Sequence, residues 1–171
     1  VFVRKRSKVI TVEPSFPMYT FFTQLYGGST VPVLFKPDFS LDVDAVLEKT
    51  DKNTKLLFIC SPNNPTGNQF READIKRLLQ EFNGVVIVDE AYVDFAQCSV
   101  INWVRDYDNL AVLRSFSKAF GLAGLRLGYL VSNKSIVDYI QRVVGPFNVN
   151  SVTQQTIALA LEKWSYFKEQ I

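Results

Sequence analysis

The chain has 171 residues, a net charge of +2, 47% hydrophobic and 21% charged residues, as expected for one ordinary globular domain. This balance argues against disorder and gives no support for binding to nucleic acid. The chain contains no histidine, which excludes a Ser-His-Asp triad, a Cys-His pair or an imidazole base formed by its own residues.

Cysteine usage and hydropathy predict the compartment. Cys60 and Cys98 form no CxxC pair, so neither a disulfide framework nor a zinc site is indicated, and no other metal site is predicted. No apolar run approaches the roughly 20 residues that span a bilayer, and the first residues lack a signal-peptide core. We therefore expect a cytoplasmic protein without a membrane partner.

The chain starts at Val1 and stops inside a helical pattern, so we also expect it to be truncated at both ends.

Short apolar runs rich in β-branched residues recur along the chain, each bounded by turn residues. They predict six strands, at residues 8–13, 30–35, 55–60, 84–89, 110–116 and 125–131. Helical patterns lie at about 18–27, 41–50, 70–82 and 134–144, and a last amphipathic pattern runs from Thr153 to the end. This alternation predicts one α/β unit over residues 1–171, a three-layer α/β/α domain with a mostly parallel sheet.

Polar motifs directly follow three of the predicted strands. Strand 55–60 runs into SPNNPTG, strand 84–89 ends in DEAY, and strand 110–116 leads into SKAFGLAGLR. Ligands in such sheets bind at the carboxyl ends of the strands, which all meet at one edge. The sequence therefore predicts a single site built from these three motifs.

Lys118 is the candidate nucleophile of this site. A lysine amine forms a Schiff base with a carbonyl compound when its pKa is lowered, and a position near Arg126 could lower it. A single lysine is more often a solvated surface residue, so the assignment depends on its neighbours.

A phosphate site is predicted beside Lys118. Ser115 and Ser117 are two residues apart in a run predicted to be extended, which puts both hydroxyls on one side. Together with the guanidinium of Arg126 these hydroxyls suit a phosphate group. The alternative is a serine turn before a strand, and GLAGLRLG is not a Walker loop.

Asp89 ends a buried strand, where an ionised carboxylate needs a cationic partner. A pyridinium nitrogen would serve, although a helix N-cap explains the residue equally well. Tyr92 and Asn64 could each hydrogen-bond a cofactor oxygen, while turn formation alone explains much of SPNNPTG. Glu90 either faces solvent or pairs locally.

EPSFPMY places two aromatic residues, Phe16 and Tyr19, just beyond the first strand. A ring at this position could stack on a flat cofactor. Packing in the core is the alternative, and for Tyr19 it is the preferred interpretation.

In this order and spacing, the motifs NNPTG, DEAY and SFSKAFGLAGLRLGY resemble the fold type I, class II aminotransferases, most closely the histidinol-phosphate aminotransferases. The resemblance covers essentially the whole chain and implies pyridoxal 5'-phosphate as the cofactor. Lys118 would hold it as a Schiff base, and Asp89 would keep its pyridine nitrogen protonated. The remaining implied contacts are hydrogen bonds to the ring hydroxyl oxygen from Tyr92 and Asn64, and phosphate binding by Ser115, Ser117 and Arg126.

Phe16 departs from the family pattern. It falls where the family usually has a tyrosine stacked on the cofactor ring, so the stacking face is kept and a hydroxyl is lost. We expect cofactor binding to survive this change.

The resemblance also implies a reaction and an assembly. The reaction is transamination between an amino donor and a 2-oxo acid, here histidinol phosphate and 2-oxoglutarate, giving imidazole acetol phosphate and glutamate in histidine biosynthesis. The assembly is a homodimer with active sites at its interface. A related pyridoxal-phosphate lyase such as threonine-phosphate decarboxylase, or a non-catalytic α/β fragment, is the alternative.

Residues 1–171 alone should support little transamination. The resemblance implies further parts outside these residues: an upstream phosphate-binding loop, a tyrosine of the partner subunit, and a small domain with an arginine for the substrate carboxylate. An amino-transfer assay on the isolated chain checks this expectation, and normal turnover would contradict it.

Overall fold

A six-stranded sheet forms the middle layer of the fold. In this computed structural model, which describes residues 1–171, the spatial order of the strands is β2-β1-β3-β4-β5-β6. All neighbouring strands are parallel except β5 and β6, which are antiparallel. The strands are β1 Lys8–Glu13, β2 Ser29–Leu34, β3 Thr54–Cys60, β4 Val85–Asp89, β5 Leu110–Ser115 and β6 Gly128–Ser132.

Six α-helices surround or extend the sheet. Three of them begin with a side-chain cap, because Asp42, Asn133 and Asn150 each accept a hydrogen bond from the backbone N–H three residues further on. No helix is both long enough and apolar enough to cross a bilayer. The helices are α1 Met18–Leu25, α2 Val43–Glu48, α3 Glu72–Glu81, α4 Lys134–Gln141, α5 Ser151–Glu162 and α6 Trp164–Lys168.

The two faces of the sheet are covered unequally. On one face, α2 and α3 pack over alternate residues of β1, β3, β4 and β5 and form a core of 18 buried residues that includes Leu57 and Val88. The other face has a core of only five buried residues, with α4 contributing Ile136 and α1 packing through Tyr19 onto Phe58. These layers confirm the predicted α/β/α architecture.

Three details differ from the sequence-based expectations. β5 ends at Ser115, so the predicted extended run through Ser117 is wrong, and the chain bends there instead. β6 begins three residues late, because a 3₁₀ turn at Ala123–Leu125 precedes Arg126, whose φ of 55° is left-handed. The last amphipathic pattern forms two helices rather than one. The break at Lys163 lets the rings of α6 pack against Phe120.

The strand order places a natural crevice at the carboxyl edge of the sheet. The chain passes from β1 outward to β2 and then crosses back over β1 to β3. The loops after β1 and β3 therefore diverge at a topological switch point, where open α/β sheets bind their ligands.

Leu57→Ala should destabilise the fold by about 2–5 kcal/mol, because it leaves a cavity under α2 and α3. Leu57 is fully buried in β3. The matched control is Leu34→Ala in the edge strand β2, where the side chain is 70% exposed. This change should cost less than about 0.5 kcal/mol. Urea denaturation measures both losses, and equal losses would contradict the described core.

Candidate active site

Five of the eight predicted site residues line one cavity at the carboxyl edge of the sheet. The cavity has a volume of about 60 Å³. Its walls come from the last residues of β3 and β4 and from the loops that follow β1, β3, β4 and β5, four neighbouring parallel strands. The lining residues are Phe16, Cys60, Asn64, Asp89, Ala91, Tyr92 and Lys118.

The carboxylate of Asp89 is held from two sides. Its Oδ2 accepts a hydrogen bond from the Tyr19 hydroxyl at 2.6 Å, and its Oδ1 accepts one from the backbone N–H of Ala91 at 3.0 Å. Asp89 is not a helix N-cap, because the short 3₁₀ helix that follows begins after Tyr92. Each carboxylate oxygen can accept a second hydrogen bond, so Asp89 retains the capacity to bind a cationic N–H in the cavity.

Lys118 lies on a tight turn directly after β5. Its Nζ is 4.8 Å from the centroid of the Tyr92 ring, a cation-π distance. The turn closes with a hydrogen bond of 2.9 Å from the N–H of Gly121 to the carbonyl of Lys118, and Gly121 has a φ of +64°, which favours glycine. Two aromatic rings, Phe116 and Phe120, stabilise the base of the turn.

The two asparagines of SPNNPTG have different environments. Asn63 is buried and donates hydrogen bonds to the carbonyl of Pro14 at 2.9 Å and to Oγ1 of Thr66 at 2.7 Å. It also accepts one from the Ser15 hydroxyl at 2.8 Å. Asn63 thus ties the loop after β1 to the loop after β3, and Asn64 is left to line the cavity.

The predicted phosphate ligands do not line this cavity. Oγ of Ser115 accepts a hydrogen bond from the N–H of Ser117 at 3.0 Å, the local serine turn that was the alternative interpretation. Arg126 is exposed, and its Nη1 donates to the carbonyl of Ala123 at 2.9 Å. Arg126 lines a different cavity of about 280 Å³, shared with residues 148–150 and 152–153. Phosphate binding by these three residues stays a prediction.

Glu90 belongs to a buried polar cluster that sequence reasoning missed. Only 2% of Glu90 is exposed, so the interpretation that it faces solvent is wrong. Its carboxylate accepts hydrogen bonds from the N–H of Val100 at 2.6 Å and the Ser99 hydroxyl at 2.8 Å, and it pairs with Arg114 at 2.8 Å. This cluster fastens the segment that carries Tyr92 to strand β5. The pairing joins residues 24 positions apart, so no local signal indicated it.

Two buried groups next to Asp89, the Tyr19 hydroxyl and the Cys60 thiol, stay protonated near pH 7. Burial raises the pKa of the Tyr19 hydroxyl far above its ordinary value, and the negative charge of Asp89 raises it further. The pKa of the Cys60 thiol is also raised, first by burial and then by the charge of Asp89. Tyr19 is therefore a permanent donor to Asp89. Its predicted role in core packing is also present, since its ring stacks on Phe58 at 4.5 Å.

Residues 1–169 match the family described as aminotransferase class I and II. The chain belongs to this aminotransferase family. The cavity with Lys118 and Asp89 is thus the candidate active site of an aminotransferase domain.

Individual aminotransferases and one lyase are similar to this chain. It is 42% identical over 171 residues to a histidinol-phosphate aminotransferase of Thermoanaerobacter sp., covering 99% of the chain and 48% of that protein. The histidinol-phosphate aminotransferase of Sinorhizobium meliloti, solved with pyridoxal-5'-phosphate, superposes with a TM-score of 0.89 at 25% identity. The match covers 98% of this chain and 47% of that protein. L-threonine-O-3-phosphate decarboxylase of Porphyromonas gingivalis superposes with a TM-score of 0.82 at 26% identity. The match covers 95% of this chain and 49% of the decarboxylase. The chain thus spans about half the length of these relatives.

Arg114→Ala should cost this aminotransferase domain about 3 kcal/mol of stability, because it leaves the buried Glu90 carboxylate without its cation. The control is Lys134→Ala, which breaks the exposed pair with Asp138. That control should cost less than about 0.5 kcal/mol. Urea denaturation midpoints of the two variants measure the difference. A loss for Arg114→Ala no larger than the control would show that the cluster does not hold the Tyr92 segment.

Proposed function

We propose that the whole protein to which this sequence belongs is a pyridoxal-phosphate-dependent aminotransferase that transfers the amino group of histidinol phosphate to 2-oxoglutarate. The observation that carries the proposal is that Lys118 and Asp89 line one cavity, Asp89 as the last residue of β4 and Lys118 on the loop after the adjacent strand β5. An amine that can react with an aldehyde thus lies near a carboxylate that can bind a protonated ring nitrogen.

The residues of the cavity fit the functional groups of pyridoxal phosphate. Asp89 has acceptor capacity for the ring nitrogen, and the Phe16 ring, 38% exposed, is free to cover one face of the cofactor. The Asn64 amide and the Tyr92 phenol can donate hydrogen bonds to the ring hydroxyl oxygen. Lys118 can form a covalent bond with the aldehyde carbon. The bound cofactor supplies an electron sink for negative charge at the substrate's α-carbon.

Each residue then has a defined task in the reaction. With the cofactor bound, the free Lys118 amine would act first as a general base and then as a general acid, taking the proton from the substrate's α-carbon and delivering it to the former aldehyde carbon of the cofactor. Asp89 would keep the ring nitrogen of the bound cofactor protonated by charge pairing. We assign the phosphate to Ser115, Ser117 and Arg126, supported by the position of the two serines at the end of β5 and by the exposure of Arg126.

The cavity formed by these residues alone is small. Its 60 Å³ is about a fifth of the 300 Å³ at the lower end of ordinary ligand pockets. A cofactor seated on it would be covered by this chain mainly on the side of Asp89 and Lys118. The remaining cover would have to come from other protein segments, which is the physical reason for the expected low activity of residues 1–171 alone.

The substrate, assembly and location are also proposals. The 42% identity to a histidinol-phosphate aminotransferase supports histidinol phosphate as the amino donor, and histidine biosynthesis as the pathway. A homodimer agrees with the exposed apolar side chains of Val143, Phe147 and Val152, which are 66%, 98% and 65% accessible. The unpaired Cys60 and Cys98 agree with a reducing cytoplasm.

Borohydride reduction of the whole protein with pyridoxal phosphate should fix the cofactor on Lys118, detected as a labelled peptide by mass spectrometry. Lys118→Ala should abolish the label, because no other amine lines the cavity. Lys134→Ala, which removes an exposed lysine that does not line the cavity, should keep the label. Equal labelling of the Lys118→Ala protein would refute the assignment.

Product analysis distinguishes the proposed aminotransferase from a lyase, the main alternative. The similarity in fold to L-threonine-O-3-phosphate decarboxylase makes a lyase the second candidate. With histidinol phosphate and 2-oxoglutarate we expect glutamate and no carbon dioxide. Release of carbon dioxide from threonine phosphate, without amino transfer, would favour the lyase.

A further inference from the structure

Tyr19 contacts Asp89 from helix α1, and Asp89 lies at the boundary between two cavities. Its hydroxyl donates to Oδ2 of Asp89 at 2.6 Å, while only 8% of the residue is exposed. Tyr19 and Asp89 both line a second cavity of about 370 Å³ with mostly apolar walls on the thinly covered face of the sheet. Asp89 lines the Lys118 cavity as well. The hydrogen bond therefore lies in a weakly polar environment, where such a bond is stronger than in water.

The position of the Tyr19 hydroxyl is fixed by several contacts. The ring stacks on Phe58 with a centroid distance of 4.5 Å and an interplanar angle of 10°. It meets the Phe16 ring edge-on at 5.6 Å, and the Tyr19 carbonyl accepts a hydrogen bond from the buried Thr23 hydroxyl at 2.7 Å. A hydroxyl held this firmly can orient the carboxylate it contacts.

We infer that Tyr19 is a positioning residue that acts through Asp89. Its hydroxyl fixes the rotation of the Asp89 carboxylate, and it limits how strongly this carboxylate attracts the proton of a ring nitrogen. The inference rests on the proposed function, because the ring nitrogen belongs to the proposed cofactor. Two residues three positions apart thus serve the same site, since Phe16 lines the cavity and Tyr19 holds the carboxylate of Asp89.

The charge of Asp89 determines how loss of the Tyr19 hydroxyl would change the proton affinity of the bound cofactor. A carboxylate oxygen that accepts a hydrogen bond has less electron density to offer a second donor. Without the Tyr19 hydroxyl, Asp89 would draw the nitrogen proton towards itself, and the ring would carry less positive charge. The nitrogen that links Lys118 to the cofactor would then keep its own proton to a higher pH.

Few other titratable groups surround Asp89. Cys60, Tyr92 and Lys118 share its cavity, and Tyr19 contacts it from α1. The pKa of Cys60 is raised by burial, so its thiol stays neutral near pH 7 and does not compete for the nitrogen proton.

The test is Tyr19→Phe in the whole protein loaded with pyridoxal phosphate. This change removes one oxygen and keeps the ring that stacks on Phe58. The pH midpoint of the visible absorption band of the bound cofactor should rise by about 0.3 to 1 unit, part of the effect of one charge-assisted hydrogen bond. The matched control is Tyr26→Phe, the same substitution at a residue that is 67% exposed beside α1, and it should leave the midpoint unchanged.

A double-mutant cycle separates action through Asp89 from a structural role. In an Asp89→Asn background, Tyr19→Phe should shift the midpoint by less than about 0.2 unit, because coupling vanishes when the shared partner is removed. A Tyr19→Phe protein that is less stable to urea but keeps the wild-type midpoint would overturn the inference. So would an equal shift in both backgrounds. If the wild-type protein forms no visible band and no label on Lys118, the proposed function itself fails, and the inference fails with it.

Discussion

The parallel alignment of β1, β3, β4 and β5 is the constraint on which the candidate site depends. Neighbouring strands lie about 4.8 Å apart, so short loops that leave adjacent strands at the same edge bring their side chains within contact distance. Phe16, Asn64, Asp89 and Lys118 are far apart in the chain and come together for this reason alone. The apolar core beneath them is what keeps the four strands in register.

At two places in this site, one residue contacts other parts of the protein while its neighbour in the chain lines the cavity. Asn63 binds backbone and side-chain groups of the protein, and Asn64 lines the cavity. Likewise Asp89 lines the cavity, and Glu90 is buried against Arg114. At the end of β4, successive side chains of extended backbone point in opposite directions, so Glu90 can secure the segment while Asp89 lines the cavity. The buried partner satisfies its own polar groups, which keeps the cost of burying it low.

The sheet and its carboxyl edge could be predicted because their signals are local or follow from topology. Apolar β-branched runs indicated the strands, and parallel order then implied that their polar ends meet. Other features depend on contacts that no local pattern reveals. Tyr19 and Asp89 are 70 positions apart, and Glu90 and Arg114 are 24 apart. The bend at Ser117 and the left-handed Arg126 were missed because turn chemistry prevailed over a strand-like apolar pattern.

The aromatic contacts under the Lys118 turn cannot all form at the same time during synthesis of the chain. The Phe120 ring packs against Trp164 and Phe167 of α6, at 5.0 and 5.1 Å between centroids. Chains are synthesised from the N-terminus, so Lys118 leaves the ribosome well before the rings that support its turn. During that interval Phe120 can pack against Phe116 but not against the two rings of α6. The turn that carries Lys118 is therefore fully packed only after α6 has been synthesised and docked.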